Sequence, residues 1–444
     1  MPDAAQAAGS NRSQDLFSEA RNLIDVFDML AHQAQSQLGT ITQTSFFMGD
    51  GLQRAVIDGA FNLLEPQTWT PTNLWRWGSA AIRQAIQIST LANPGNLNLA
   101  WEELKNKLEV FVLVKNLASI LKLPPTGGEF IPLAQLVPRA YSVPDFQALW
   151  AVEGLGHYCA DSYYAHFGDP QGLLEEAKAQ VPEKSLLMLH AGMGLSFADR
   201  LIGNLNVDNP SADKTRAAVE QFVSLCRNNS RKGYLGAAVE SLGLVTRDFY
   251  PELIEIVPKQ LNLIAPELMG FFWHGAGRAL YFSREYFLPV LTRVWSGVDE
   301  EAKACPDRQS AMAGLAWAVT LVNMRQPAIM QHVLPSYTQD ASLEQGFANG
   351  VASSIIMRQD TTPDEPMISA FYQHPPDPGN RQSAEMWSRF ISSPAQLGLQ
   401  KYYPVLKQHK ALDQVFRYQD LQTLVSGLQN SQPGQDSKQV AHQS

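Results

Sequence analysis

The sequence predicts an all-α protein built as a curved array of about six to seven helix-turn-helix units, marked by Gly-x-Gly or Gly-x-Ala helix starts. Six short stretches predict it by their likeness: Glu153-Gly154-Leu155-Gly156, Ala191-Gly192-Met193-Gly194, Leu235-Gly236-Ala237-Ala238, His274-Gly275-Ala276-Gly277, Ala313-Gly314-Leu315-Ala316 and Asn349-Gly350-Val351-Ala352. Their spacing is the second observation. The first glycines fall at 154, 192, 236, 275, 314 and 350, in steps of 38, 44, 39, 39 and 36 residues, and one helix-turn-helix unit occupies roughly 35–45 residues. Third, strand signals are nearly absent, and Pro170, Pro182, Asp208-Asn209-Pro210, Pro251, Pro266, Pro306 and Pro327 punctuate the segments between motifs, as expected of turns between helices.

In chain order, residues 1–14 are polar and carry no apolar leader, so they are expected to be disordered. Residues 15–68 read as N-terminal helices. Leu16, Ala20, Leu23, Ile24, Phe27 and Leu30 share one face of the first, and Pro66 stops the second. Phe46-Phe47-Met48-Gly49 resembles the later glycine motifs. Residues 69–140 interrupt the repeat as a helical insertion with two apolar helices, one starting at Thr72-Asn73 and one spanning Trp101–Leu123 before Pro124-Pro125. The array covers 141–359. Five prolines between Pro363 and Pro378 make 360–380 an extended linker. C-terminal helices follow over 381–428, and the polar residues 429–444 are expected to be a disordered tail.

Composition narrows the function classes. A net charge of −9 over 444 residues, with no basic stretch, argues against a nucleic-acid partner. Cys159, Cys226 and Cys305 are odd in number and form no Cys-x-x-Cys pair, which fits a reducing compartment without structural zinc. No apolar run reaches the length of a membrane span, so a cytoplasmic protein is expected. Helix Trp101–Leu123 is apolar enough for peripheral membrane contact or a partner groove, although a core position is the commoner fate of such a helix.

Glycine inside a helix costs about 1 kcal/mol relative to alanine, so its recurrence in one register needs an offsetting gain. Close helix crossing supplies one, because a residue without a side chain lets two backbones approach. Lining of a ligand groove is the alternative. Phosphate binding at helix N-termini is the weakest reading, since no strand precedes the motifs.

Candidate functional residues cluster beside these glycines. Glu153, His157 and Asp161 are spaced to share a helix face. Glu and His at such spacing can ligate metal, with His166 and His190 as further ligands if the fold converges on them. The paired Glu-x-x-His of di-metal bundles is missing, however, so no metal or other cofactor is expected. His274 and Arg278 are also four apart, among Phe271, Phe272, Trp273, Tyr281 and Phe282. A cation in such surroundings must meet a carboxylate, backbone carbonyls or an anionic ligand, and Glu153 or Glu240 would be a structural partner. No Ser-His-Asp order, Gly-x-Ser-x-Gly elbow, phosphate loop or His-Glu-x-x-His motif is present.

The ordered motifs resemble a domain-of-unknown-function family of bacterial proteins whose members occur in enediyne polyketide biosynthesis. Phe46–Gly49, Glu153–Gly156, His190–Gly194, Gly275–Phe282 and Asn349 through Arg358 carry the resemblance, with Gly275–Phe282 the nearest match. Leu235 and Glu240 stand where the family pattern has Asp and His, and 69–140 looks like an insertion. The resemblance implies no catalytic role for any residue. It supports an accessory or ligand-binding protein that assists polyketide or lipid-like biosynthesis by holding an apolar or acidic small molecule, or a partner enzyme. The candidate ligand-binding residues are then Glu153, His157, His190, His274, Arg278 and Arg358. Two alternatives stay open: an enzyme whose site is built from Glu153, His157, His190, His274 and Arg278 in the repeat groove, and an interaction scaffold using helix Trp101–Leu123.

Overall fold

The computed structural model describes residues 94–430 apart from the short segments 176–179, 284–293, 304–305, 338–339 and 377–379. The expected N-terminal disorder, the helices of 15–68, the first helix of 69–140, Cys305 and the tail from 431 lie outside the described residues. Within them the protein is all-α, with no strand. Helix α1 (Pro94–Ile120) ends where Lys122 turns to a positive φ of 52° and the Leu123 N–H bonds back to the Ala118 carbonyl. That closure satisfies helix-end carbonyls before Pro124-Pro125 forbids continuation. After the short α2 (Leu133–Ala140), α3 (Asp145–Phe167) begins behind Pro144 with an acidic first turn and stops at Gly168, φ 79°.

Next come α4 (Leu186–Ile202), α5 (Ala212–Asn229), α6 (Leu235–Phe249), α7 (Val257–Ile264), α8 (Met269–Phe282), α9 (Val294–Glu301), α10 (Asp307–Asn323), α11 (Pro327–Tyr337) and α12 (Ala341–Thr361). The six glycine-bearing helices α3, α4, α6, α8, α10 and α12 pack each against the next, with shorter helices in the later intervals. The row folds back on itself: α1 packs against both α3 and α10, and α12 also touches α4.

The glycines are not helix starts. Apart from Gly236, they sit within their helices, at crossings. A Cβ on Gly192 would overlap the Glu153 carbonyl and lie 2.8 Å from the His157 nitrogen. One on Gly243 would lie 2.8 Å from the Ala276 nitrogen, and one on Gly275 2.8 Å from the Leu244 nitrogen. Each such glycine therefore seats its backbone on one turn of its neighbour. Close crossing accounts for the recurrence.

Two further expectations are corrected. Segment 360–380 is not an extended linker: α12 runs to Thr361, Asp360 is buried, and α13 (Pro366–Tyr372) starts on Pro366. Proline at the first helical turn sacrifices no bond, because that N–H has no partner within the helix. In the C-terminal part, α14 (Arg381–Trp387) continues through residue 408 by way of two π turns, Ser388–Ser392 and Gly398–Tyr402. Pro394 and Pro404 lie just after these turns, and a widened turn accommodates the ring and the missing donor. The C-terminal helices expected over 381–428 are broken after residue 408 by a 3₁₀ turn (Leu412–Phe416), which α15 (Leu421–Asn430) follows. Ala100, Val110, Leu113, Leu117 and Leu121 of the apolar α1 region are buried, while Val114 is exposed. Among the described residues no helix is long and apolar enough to cross a membrane.

A buried ion cluster at the helix crossings

Three of the six candidate residues meet. Arg278 of α8 donates from Nη2 to Glu153 Oε1 on α3 at 2.6 Å and from Nη1 to Glu240 Oε2 on α6 at 3.3 Å. His274, one turn earlier on α8, places Nδ1 3.3 Å from Glu240 Oε1. All four side chains are buried, none more than 7% exposed. Trp317 of α10 lies 4.6 Å from the guanidinium carbon of Arg278, and His274 sits edge-on between the rings of Trp317 and Phe416. His274 Nε2, Arg278 Nε and Trp317 Nε1 have no hydrogen-bond partner among the described residues.

The crossings place these charges. Gly192 packs on the backbone of Glu153, Gly275 on that of Glu240, and Gly314 on those of His274 and Arg278. Helices this close bring side chains from α3, α6 and α8 within hydrogen-bond reach although 125 residues separate Glu153 from Arg278.

Electrostatics limits the net charge in this interior. Burial raises the pKa of Glu153, opposed by Arg278 and reinforced by Glu240. Burial lowers that of His274 despite the Glu240 carboxylate. Burial also works against Arg278, but its two carboxylates outweigh it and hold the guanidinium above its ordinary value. An isolated buried charge is prohibitive, whereas a paired and hydrogen-bonded one is tolerated. Both Arg278 Nη atoms are thus taken up by the protein's own carboxylates.

The other candidates lie apart from it. His157 is partly exposed and pairs with Asp161 at 3.3 Å, as their i, i+4 spacing foretold, and Asp161 also accepts from Ser196. His190 is buried and satisfied: Nδ1 bonds the Leu186 carbonyl at 2.6 Å, and Nε2 accepts the Arg231 N–H at 3.1 Å. Its ring stacks on Tyr234, and burial pulls its pKa down to about 3. Arg358 ties the end of α12 to the start of α3 through the Asp145 and Phe146 carbonyls, with Glu365 as its ion pair. Among the described residues no group of three or more His, Cys, Asp or Glu side chains could hold a metal.

A second buried polar group escaped the sequence reading. Lys107 of α1 places Nζ 2.5 Å from the Tyr281 carbonyl and 3.6 Å from the centre of that ring. Asn106 donates to Asn323, which donates to the Tyr281 hydroxyl at 2.8 Å. Burial lowers the Lys107 pKa to about 7, with Glu103 opposing. The available signal was Glu103 and Lys107, spaced i, i+4 just before the apolar run Val110–Val114.

At the surface, a cleft of about 460 Å³ opens where α1, α11 and α14 meet, lined in part by Leu99, Gln331, His332, Pro335, Ser383 and Met386. Partial burial lowers the His332 pKa, so the imidazole is neutral at neutral pH. Comparison with protein-family models, with curated proteins and with solved structures returned no match.

Proposed function

We propose that the protein is a non-catalytic accessory protein that binds a small molecule or a partner. The observation that carries this reading is the closure of the ion cluster. Arg278 bridges the Glu153 and Glu240 carboxylates, Glu240 faces His274, and all four side chains are buried, so they meet one another rather than solvent. Recognition then belongs to the surface, where the cleft beside Leu99, His332 and Met386 combines apolar walls with uncharged hydrogen-bonding groups. Its described lining mixes Gln331, His332, Asn380, Gln382 and Ser383 with Leu99, Ala328, Pro335 and Met386 and includes no Lys or Arg, which suits a neutral molecule with hydrogen-bonding groups better than an acid. The motif resemblance would place that role in polyketide or lipid-like biosynthesis. The buried free thiols Cys159 and Cys226 accord with a cytoplasmic setting.

Native mass spectrometry of the full chain under gentle and denaturing conditions tests the reading. A co-purifying apolar molecule that leaves on denaturation, and is lost from a variant carrying His332→Ala and Met386→Ala, supports it. A bare protein mass, with no thermal stabilisation by hydroxylated fatty acids or polyketide-like lactones, defeats the small-molecule form. The enzyme alternative is favoured by one observation, the convergence of Glu153, His274 and Arg278. It requires solvent or substrate to reach side chains that are buried here.

A further inference from the structure

Loop 121–132 connects α1 to α2 and crosses the end of α3, where three side chains hold it. Arg139 donates to the Leu121 and Lys122 carbonyls at 3.1 and 2.8 Å. Tyr158 donates its hydroxyl to the Pro124 carbonyl at 2.9 Å. His166 holds the far half, with Nε2 2.7 Å from the Gly128 carbonyl and Nδ1 2.7 Å from the Ser162 carbonyl. Beyond Gly128, Phe130 packs edge-on against His166 and Phe167, and Tyr163 extends the group at 5.0 Å from Phe167. Phe130 and Phe167 are 40% and 59% exposed, so the group forms an aromatic patch at the surface.

The chemistry of His166 sets it apart from the other two anchors. A carbonyl oxygen only accepts, and a neutral imidazole has one N–H. With both ring nitrogens against carbonyls, the neutral ring turns one lone pair towards an oxygen at 2.7 Å, whereas the imidazolium donates twice. The position in the last turn of α3 also favours a cation, since helix carbonyls concentrate negative potential there. We propose that His166 is a pH-dependent clasp: as an imidazolium it fastens residues 126–131 to α3 and holds Phe130 in the aromatic patch, and as a neutral ring it releases them. Burial raises the Tyr158 pKa, so its hydroxyl keeps its proton and residues near Pro124 remain anchored while the distal half opens. The inference is independent of the cleft and the ion cluster.

The two carbonyls raise the pKa of His166, with slight desolvation opposing. Glu129 on the loop and Tyr163 and Asp169 near the helix end are the ionisable neighbours in sequence, and none contributes to that rise. With the folded value raised, the clasp is fully engaged below the ordinary histidine pKa near 6.5. It is lost as pH climbs through the folded value.

The test uses the full-length protein. Histidine-selective ¹³C labelling, with His166→Gln to assign the resonance, gives the midpoint of His166. Hydrogen exchange of the Gly128 and Phe130 amides, normalised to intrinsic rates from pH 5.5 to 8.5, reads the loop. The expected result is a midpoint above 6.5 and a loss of protection of about tenfold for each unit of that elevation. His166→Gln removes the pH dependence, while Arg139→Ala weakens protection near Leu121 and leaves the pH dependence at Gly128 intact. A His166 midpoint at or below 6.5, protection that does not change with pH, or a persisting pH dependence in His166→Gln each overturns the proposal.

Discussion

Substituting Gly277 by alanine sets two physical effects against each other, and the structure decides the sign. Alanine is a better helix former by about 1 kcal/mol, so an exposed site would gain. At Gly277 the new methyl would overlap the Ala311 carbonyl oxygen and sit 2.6 Å from its carbon. That is about 0.8 Å short of the 3.4 Å at which ordinary contact begins, and a gap of this size along an interface forfeits roughly a quarter to a half of its dispersion attraction. The obstacle is backbone, which cannot change rotamer, so the overpacking penalty takes the upper end of its usual range, about 3 kcal/mol. The net expectation for Gly277→Ala is destabilisation by about 2 kcal/mol. Gly427 in α15 is the internal control: a Cβ there meets nothing within 4 Å, and Gly427→Ala should be neutral or stabilise by up to about 1 kcal/mol. Urea unfolding followed by far-UV circular dichroism measures both. If Gly277→Ala is as well tolerated as Gly427→Ala, the glycines do not owe their recurrence to close crossing.

Three other outcomes follow from the buried polar groups. Arg278→Met should destabilise by about 3–5 kcal/mol because it strands Glu153 and Glu240 in the interior; a loss below 1 kcal/mol in the same urea assay would show that the cluster is hydrated. His190, held near pKa 3 in the folded protein, is neutral there and charged in the unfolded chain below about pH 6.5. Its contribution is therefore complete above that pH, and it removes about 1.4 kcal/mol of stability for each unit the pH falls towards 3. His190→Gln should make the acid limb of the stability profile shallower by that amount, and an unchanged slope would contradict the assignment. Arg358→Ala should cost about 3 kcal/mol by removing the cation from Glu365, which keeps only the Thr362 hydroxyl, and the donor from two carbonyls, and Arg358→Lys, which lacks the planar fork, should recover only part of the melting temperature.

Helix type and order were legible because each signal is local: periodic apolar residues, proline at the joints, and glycine in a recurring register. The position of the glycines within their helices was misread. Capping chemistry marks a helix start, and these motifs lack it, so tertiary crossing was the stronger clue. The prolines of 360–380 were read as a linker for a related reason. Pro366 opens a helix while Pro363 precedes one, and composition alone does not separate those roles. At the site, Arg278 among aromatic residues called for a carboxylate, backbone carbonyls or an anionic ligand, and the fold supplies both of the carboxylates the sequence offered as alternatives, Glu153 and Glu240. The failure of His157, His190 and Arg358 to join them was not readable. Helix-face spacing fixes a residue's neighbours on its own helix, whereas convergence depends on crossing angles between helices far apart in sequence.

Glycine crossings and buried charges form one device, and a double-mutant cycle separates this view from coincidence. Gly314 lies on the His274 carbonyl and the Arg278 nitrogen, and Trp317, one turn later on α10, covers the Arg278 guanidinium. A methyl at 314 pushes α10 away from α8 and lifts Trp317 off the charged group. Loss of that cover admits water, which weakens the attraction between Arg278 and its carboxylates but also lowers the penalty for leaving those carboxylates unpaired. Arg278→Met should therefore do less damage in a Gly314→Ala background than alone, with a coupling of about 0.5–3 kcal/mol, since neighbouring sites are non-additive on that scale. Additivity within about 0.5 kcal/mol would mean that the crossing and the cluster are separate features sharing a helix. Coupling would explain why charged residues lie beside these glycines: the same backbone approach that excludes a side chain also excludes solvent, and charges placed there must be matched by the protein itself.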